Sequence, residues 1–156
     1  MTEGKFSDLA GEEQELLLAA EQELPDAYNP YNSGSRVGAA VRTAKGKIIG
    51  GASMANVSST ANLCAERVAI AAANTAGERD IVAIALIGTD ADGVVENPVM
   101  PCGLCRQFIQ EIVTETGHDI EIICSNSDKT KIIRTSLSEL LPLPYIGGGT
   151  KTEKTS

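Results

Sequence analysis

Near the N-terminus, apolar residues fall at Leu9, Leu16, Leu17, Ala20 and Leu24, with acidic residues between them. That spacing predicts a helix over 6–24, ended by Pro25. The stretch "DAYNPYNSGSR", dense in Asn, Pro, Ser and Gly, reads as a loop. Two short apolar runs at 37–43 and 47–53 flank "AKGK", the signal of a hairpin with Gly at its turn. A helix with a small-residue face follows at 63–76. An unbroken apolar run, "IVAIALIG", then predicts a strand buried on both faces. Residues 103–115 predict a helix with Phe108, Ile109 and Ile112 on one side. "IEIICS" and "KIIRTS" predict two more strands, and a short helix runs from Ser136, as N-cap, to Pro142.

The resulting order is α β β α β α β β α. Helices interleaved with strands imply an α/β protein with helices on the faces of a mixed, five-stranded sheet. The run "AIAAA" at 69–73 lets its helix approach a neighbour closely. Residues 1–146 read as one domain, and "GGGTKTEKTS" at 147–156 reads as a disordered tail.

Composition narrows the function. With 3% aromatic residues and no Trp, the core must be built from Ala, Ile, Val and Leu. The formal net charge of −8 disfavours nucleic acid and anionic membranes as partners. No apolar run has membrane-spanning length, and the polar, acidic N-terminus lacks the pattern of a signal peptide. A cytoplasmic location is therefore expected. In that setting four cysteines, Cys64, Cys102, Cys105 and Cys124, point to metal binding or catalysis before disulfides.

Two clusters carry the chemistry: Cys64-Ala65-Glu66 and Pro101-Cys102-Gly103-Leu104-Cys105. Each lies at the start of a predicted helix, where free N–H groups and the helix dipole favour thiolates. Three thiolates can hold one Zn²⁺ and leave a coordination position open, the mark of a catalytic site. Glu66, two residues after Cys64, is placed beside the metal without ligating it and can move protons. This is the pattern of zinc nucleobase deaminases in its all-cysteine form. Arg67 follows and can offset the negative charge of the thiolates; Arg106 is a weaker candidate for that role. A redox pair at Cys102 and Cys105 would not need Cys64 and Glu66. A structural zinc would want a fourth ligand, and Cys124 sits in an apolar strand that reads as core. His118 reads as a solvated turn residue.

"VGAAVRTAKGKIIGG", "LCAERVAI" and "PCGLCRQFIQE", in this order, resemble the small homotetrameric cytidine deaminases and the related blasticidin S deaminases over about 27–145. The resemblance implies a three-layer α/β/α sandwich and Zn²⁺ held by Cys64, Cys102 and Cys105. It also implies Glu66 as proton shuttle, a homotetramer, and hydrolysis of an exocyclic amine to a carbonyl with release of ammonia. The expected substrate is cytidine or deoxycytidine, in pyrimidine salvage. The alternatives are a cytosine-nucleoside analogue such as blasticidin S, an N4-modified cytidine, another aminated heterocycle, or an inactive zinc-binding fold.

The resemblance weakens on the substrate side. The family's ribose-holding Asn and Glu correspond to Ser53 and Ala55, with Asn56 one residue later as a possible substitute. The family's stacking aromatic, after its P-Y-S segment, has no counterpart in "PYNSGSR", where Arg36 adds a candidate anion contact. Tyr31 and Tyr145 are further substrate candidates, Tyr145 standing where cytidine deaminases tend to have Phe. Ser58, Ser59, Thr60 and Asn62 divide between loop solvation and substrate contact.

Overall fold

The computed structural model describes residues 1–31 and 34–147. The strands are β1 (Thr2–Gly4), β2 (Arg36–Thr43), β3 (Ile48–Ala52), β4 (Ile81–Thr89), β5 (Glu121–Ser125) and β6 (Ile132–Ser136). The helices are α1 (Gly11–Gln22), α2 (Ala65–Thr75), α3 (Gly103–Thr116) and α4 (Leu137–Leu140). The sheet order is β1-β6-β5-β4-β2-β3, with only β4 and β5 paired in parallel.

Five of these strands are the ones read from the hydrophobic pattern. The sixth, β1, adds to the expected five and pairs antiparallel with β6 through Thr2↔Arg134 to Gly4↔Ile132. Its side chains are polar, so no alternation betrays it; backbone pairing and the ion pair of the Met1 ammonium with Glu139 hold this edge. The first helix is also divided. Lys5 N–H donates to Asp8 at 2.8 Å and closes a 3-10 turn over Phe6–Asp8. Ala10 N–H then donates to the Glu13 carboxylate at 2.5 Å, and α1 starts afresh. The 43–47 hairpin turns at Gly46, whose φ of +84° a side chain would resist.

Strand β4 is buried on both faces, which explains its continuous apolar run. Ala83, Ala85 and Ile87 pack with Leu16, Leu17 and Ala20 of α1. Ile84 and Leu86 pack on the other side with Ala69 and Ile70 of α2 and Ile109 and Ile112 of α3. The molecule is thus a three-layer α/β/α sandwich. Phe108 departs from the expected face: Ile109 is fully buried, while Phe108, one residue and about 100° away around the helix, is 44% exposed.

Close approach fixes α2. Ala65, Ala69 and Ala73 recur every fourth residue and are fully buried. Beneath them lies Gly51 of β3, where a Cβ would come within 2.3 Å of Ala69 N and 2.7 Å of Ala65 O. β3 and β4 are both antiparallel to β2, so they run in the same direction. The helices that follow them, α2 and α3, therefore both begin at one edge of the sheet, the usual place for a site in an α/β fold.

Candidate active site

Cys64 is the N-cap of α2 and Cys102 the N-cap of α3; Cys105 lies in the first turn of α3. Cys64 O accepts Arg67 N–H and Val68 N–H, and Cys102 O accepts Arg106 N–H, the first helical bonds of each element. The common sheet edge brings the three sulfurs within 4.8 Å of one another. Cys102 Sγ and Cys105 Sγ are 3.4 Å apart. Sulfurs at tetrahedral corners about 2.3 Å from a zinc would be about 3.8 Å apart, so the trio needs little movement to receive one.

The cluster already favours a sulfur anion. Cys64 is pulled down to about 5, first by the hydrogen bond from Cys105 and then by Arg67, against the opposing effect of burial. Cys105, the donor of that bond, is pushed up correspondingly. Arg67 Nη2 donates to Asn62 O at 2.6 Å and faces Cys64 Sγ at 3.9 Å. Glu66 is 3% exposed. Burial raises its pKa, and the neighbouring Cys64 thiolate adds to the effect. A soft thiolate set with a buried, proton-retaining carboxylate beside it fits Zn²⁺.

Cys124 is buried in β5, and burial pushes its thiol up, as suits a core residue. Arg106 does not reach the sulfurs: Nε donates to Pro101 O at 2.8 Å and Nη1 to Leu140 O at 3.1 Å, tying α3 to the end of α4. His118 is half-exposed and its Nε2 lies 2.7 Å from the Asp80 carboxylate.

Cys64, Glu66 and Cys102 line a cavity of about 270 Å³. Ser53 and Ala55, singled out in the sequence, line it too. Tyr31, Asn56 and Tyr145 do not. Asn56 is spent on its own loop, its Oδ1 accepting Ser58 N–H at 2.9 Å. Tyr145 docks by its backbone against Gln107 of α3, with its side chain 78% exposed. Arg36 is absent from the lining because Val37, the next residue of β2, faces the cavity and strand alternation turns Arg36 the other way. Sequence reasoning passed over Asn29, Ser35, Met54, Leu63, Val99 and Met100, which complete much of the wall. They lie in or beside loops, where no periodicity marks them.

Residues 11–117 match the model of the cytidine and deoxycytidylate deaminase zinc-binding region. A cytidine deaminase of Halalkalibacterium halodurans is 40% identical over 129 residues, 83% of this chain and 90% of that protein. A blasticidin-S deaminase of Bacillus cereus is 28% identical over 144 residues, covering 90% and 97% of the two chains. The crystal structure of a cytidine deaminase from Burkholderia pseudomallei superposes with a TM-score of 0.74 at 33% identity, over 88% of this chain and all of the other.

Proposed function

The chain belongs to the zinc-binding cytidine and deoxycytidylate deaminase family, and on that premise we propose that it hydrolyses cytidine or deoxycytidine to the uridine product and ammonia. One observation carries the reading: three sulfurs and a buried carboxylate meet at two helix starts, where Cys64, Cys102 and Glu66 line a cavity. We assign Cys64, Cys102 and Cys105 as zinc ligands. Bound there, zinc supplies Lewis-acid activation of water.

Glu66 takes a proton from the attacking water and passes protons to the ring nitrogen and the departing amine. The C4–N bond breaks, a C4=O forms, and water and cytosine ring together account for the ammonia released. Burial suits Glu66 to the task, because it raises the carboxyl's pKa above that of an ordinary Glu and so favours holding a proton before returning it. Arg67 offsets charge: three thiolates and Zn²⁺ sum to −1, and the guanidinium beside Cys64 opposes that excess.

A second reading keeps the reaction and changes the substrate to an analogue such as blasticidin S. It is favoured by the small side chains of Ser53 and Ala55 in the cavity wall and by the relative from Bacillus cereus. Zinc-loaded protein offered cytidine, deoxycytidine and blasticidin S should bleach the cytosine absorption band of its substrate and release ammonia in equal amount. Failure on all three would remove the proposal.

The same reading takes the protein to be a cytoplasmic homotetramer serving pyrimidine salvage. The surface that supports assembly is an apolar groove of about 490 Å³ between α2 and α3, lined by Ile70, Ile112, Leu104 and Phe108 among others. Leu104 is 61% exposed there. Phe108→Asp is expected to convert the assembly to smaller species in sedimentation velocity; an unchanged tetramer would clear this groove of the role.

A further inference from the structure

Of the three sulfurs, that of Cys102 is the least secured by the fold. Cys105 is fully buried inside α3. Cys64 follows Leu63, which exchanges two backbone hydrogen bonds with Met54, each of 2.9 Å. Cys102 is exposed and ends a stretch, residues 90–102, in which no residue lies in a helix or strand. Pro101, just before it, has no N–H to give.

Arg106 supplies the missing anchorage. The carbonyls on either side of the Cys102 Cα are Pro101 O and Cys102 O. Arg106 Nε donates to the first at 2.8 Å, and Arg106 N–H donates to the second at 2.9 Å. Arg106 Nη1 reaches further and donates to Leu140 O at 3.1 Å, a carbonyl of the last turn of α4 that helical bonding leaves free. That helix is a firm post. Leu137 at its start is fully buried, Leu137 N–H donates to Ile120 O at 3.0 Å, and Ser138 N–H donates to the Asp119 carboxylate at 3.1 Å. A guanidinium carries its donors in a rigid planar fork and can hold two carbonyls at a set separation, which an ammonium on a flexible stem cannot.

We propose that Arg106 is a positioning residue for the metal ligand Cys102: its guanidinium braces the carbonyl before Cys102 against the end of α4 and so aims that sulfur at the ion without touching it. The fork, not the charge, is what the site requires. This rests on the assignment of Cys102 as a zinc ligand above.

Arg106→Lys keeps the positive charge and the apolar stem and gives up the fork. Competition for zinc against a chromophoric chelator should show affinity lowered about 10–100-fold, the usual loss when a group that orients a metal ligand is removed. Arg106→Gln, which drops the charge too, should lose about as much. Cobalt(II) in place of zinc reads the ligand itself, because thiolate-to-cobalt absorption grows with the number of sulfurs bound. The parent should show the absorption of three sulfurs, and Arg106→Lys at saturating cobalt should fall towards that of two. Neither a charge effect nor a general loss of stability moves that count. Parent-like affinity in Arg106→Lys overturns the inference and returns Arg106 to a charge role. Lowered affinity with three-sulfur absorption intact, or a metal-free Arg106→Lys protein that does not fold, also overturns it and leaves Arg106 to the fold alone. A parent that binds cobalt through fewer than three sulfurs defeats the ligand assignment itself, and the bracing of Cys102 with it, a result seen without either variant.

Discussion

Glu66→Gln is expected to retain zinc and to lose about 10²–10⁴-fold in turnover, the usual contribution of a positioned acid–base group. The side chain is almost wholly enclosed at 3% exposure, and Gln matches its shape, so packing around α2 should survive. What disappears is the capacity to hold a proton and release it. Burial lifts the Glu66 pKa, and the thiolate of Cys64 lifts it further, so the carboxyl is held closer to neutrality than an ordinary Glu. An amide in its place accepts no proton at any working pH. Metal analysis by mass spectrometry alongside steady-state rates on cytidine separates the two properties. A variant with full zinc and wild-type rate would strip Glu66 of its assigned part.

Cys102→Ala should have the second large effect: zinc content falling from about one per chain to a small fraction, with turnover lost beyond detection. Cys102 is the informative sulfur because it is exposed, whereas Cys105 is fully buried and its removal would also open the core. The metal-free melting temperature of the variant should match that of the metal-free parent. The parent should gain stability on adding zinc, because a ion that binds only the folded chain favours it, and the variant should not. Thermal melting with and without zinc, paired with metal stoichiometry, makes the comparison. Full occupancy in Cys102→Ala would mean that the three sulfurs do not share an ion.

Much of this molecule was legible before its coordinates. The strands around β4 and the helices α2 and α3 announce themselves because each is pressed between layers and must be apolar where it touches. The sulfur cluster was legible because three cysteines and Glu66 sit at fixed offsets from two helix starts, and helix starts have local signals. The division of the 6–24 helix was not, since Asp8 and Glu13 read equally well as solvated helix residues until their carboxylates are seen closing turns. β1 escaped because three polar residues at an edge carry no period. The tail, beyond Gly147, lies outside the described residues. The cavity wall was the least legible part. Ser53 Oγ is engaged by Val37 N–H, sixteen residues away, and whether Arg36 faces the site depends on the parity of β2.

The bare backbone at Gly51 couples two things that are usually tuned separately. Cys64 and Glu66 ride on the same helix, the one whose Ala69 nitrogen would stand 2.3 Å from any Cβ placed there. A wedge at this position would carry sulfur and carboxylate off together, away from the pair on α3, so metal retention and proton transfer would fade in step. In a mutational survey of the chain, position 51 should therefore tolerate nothing, although it does not line the cavity and bears no functional group at all.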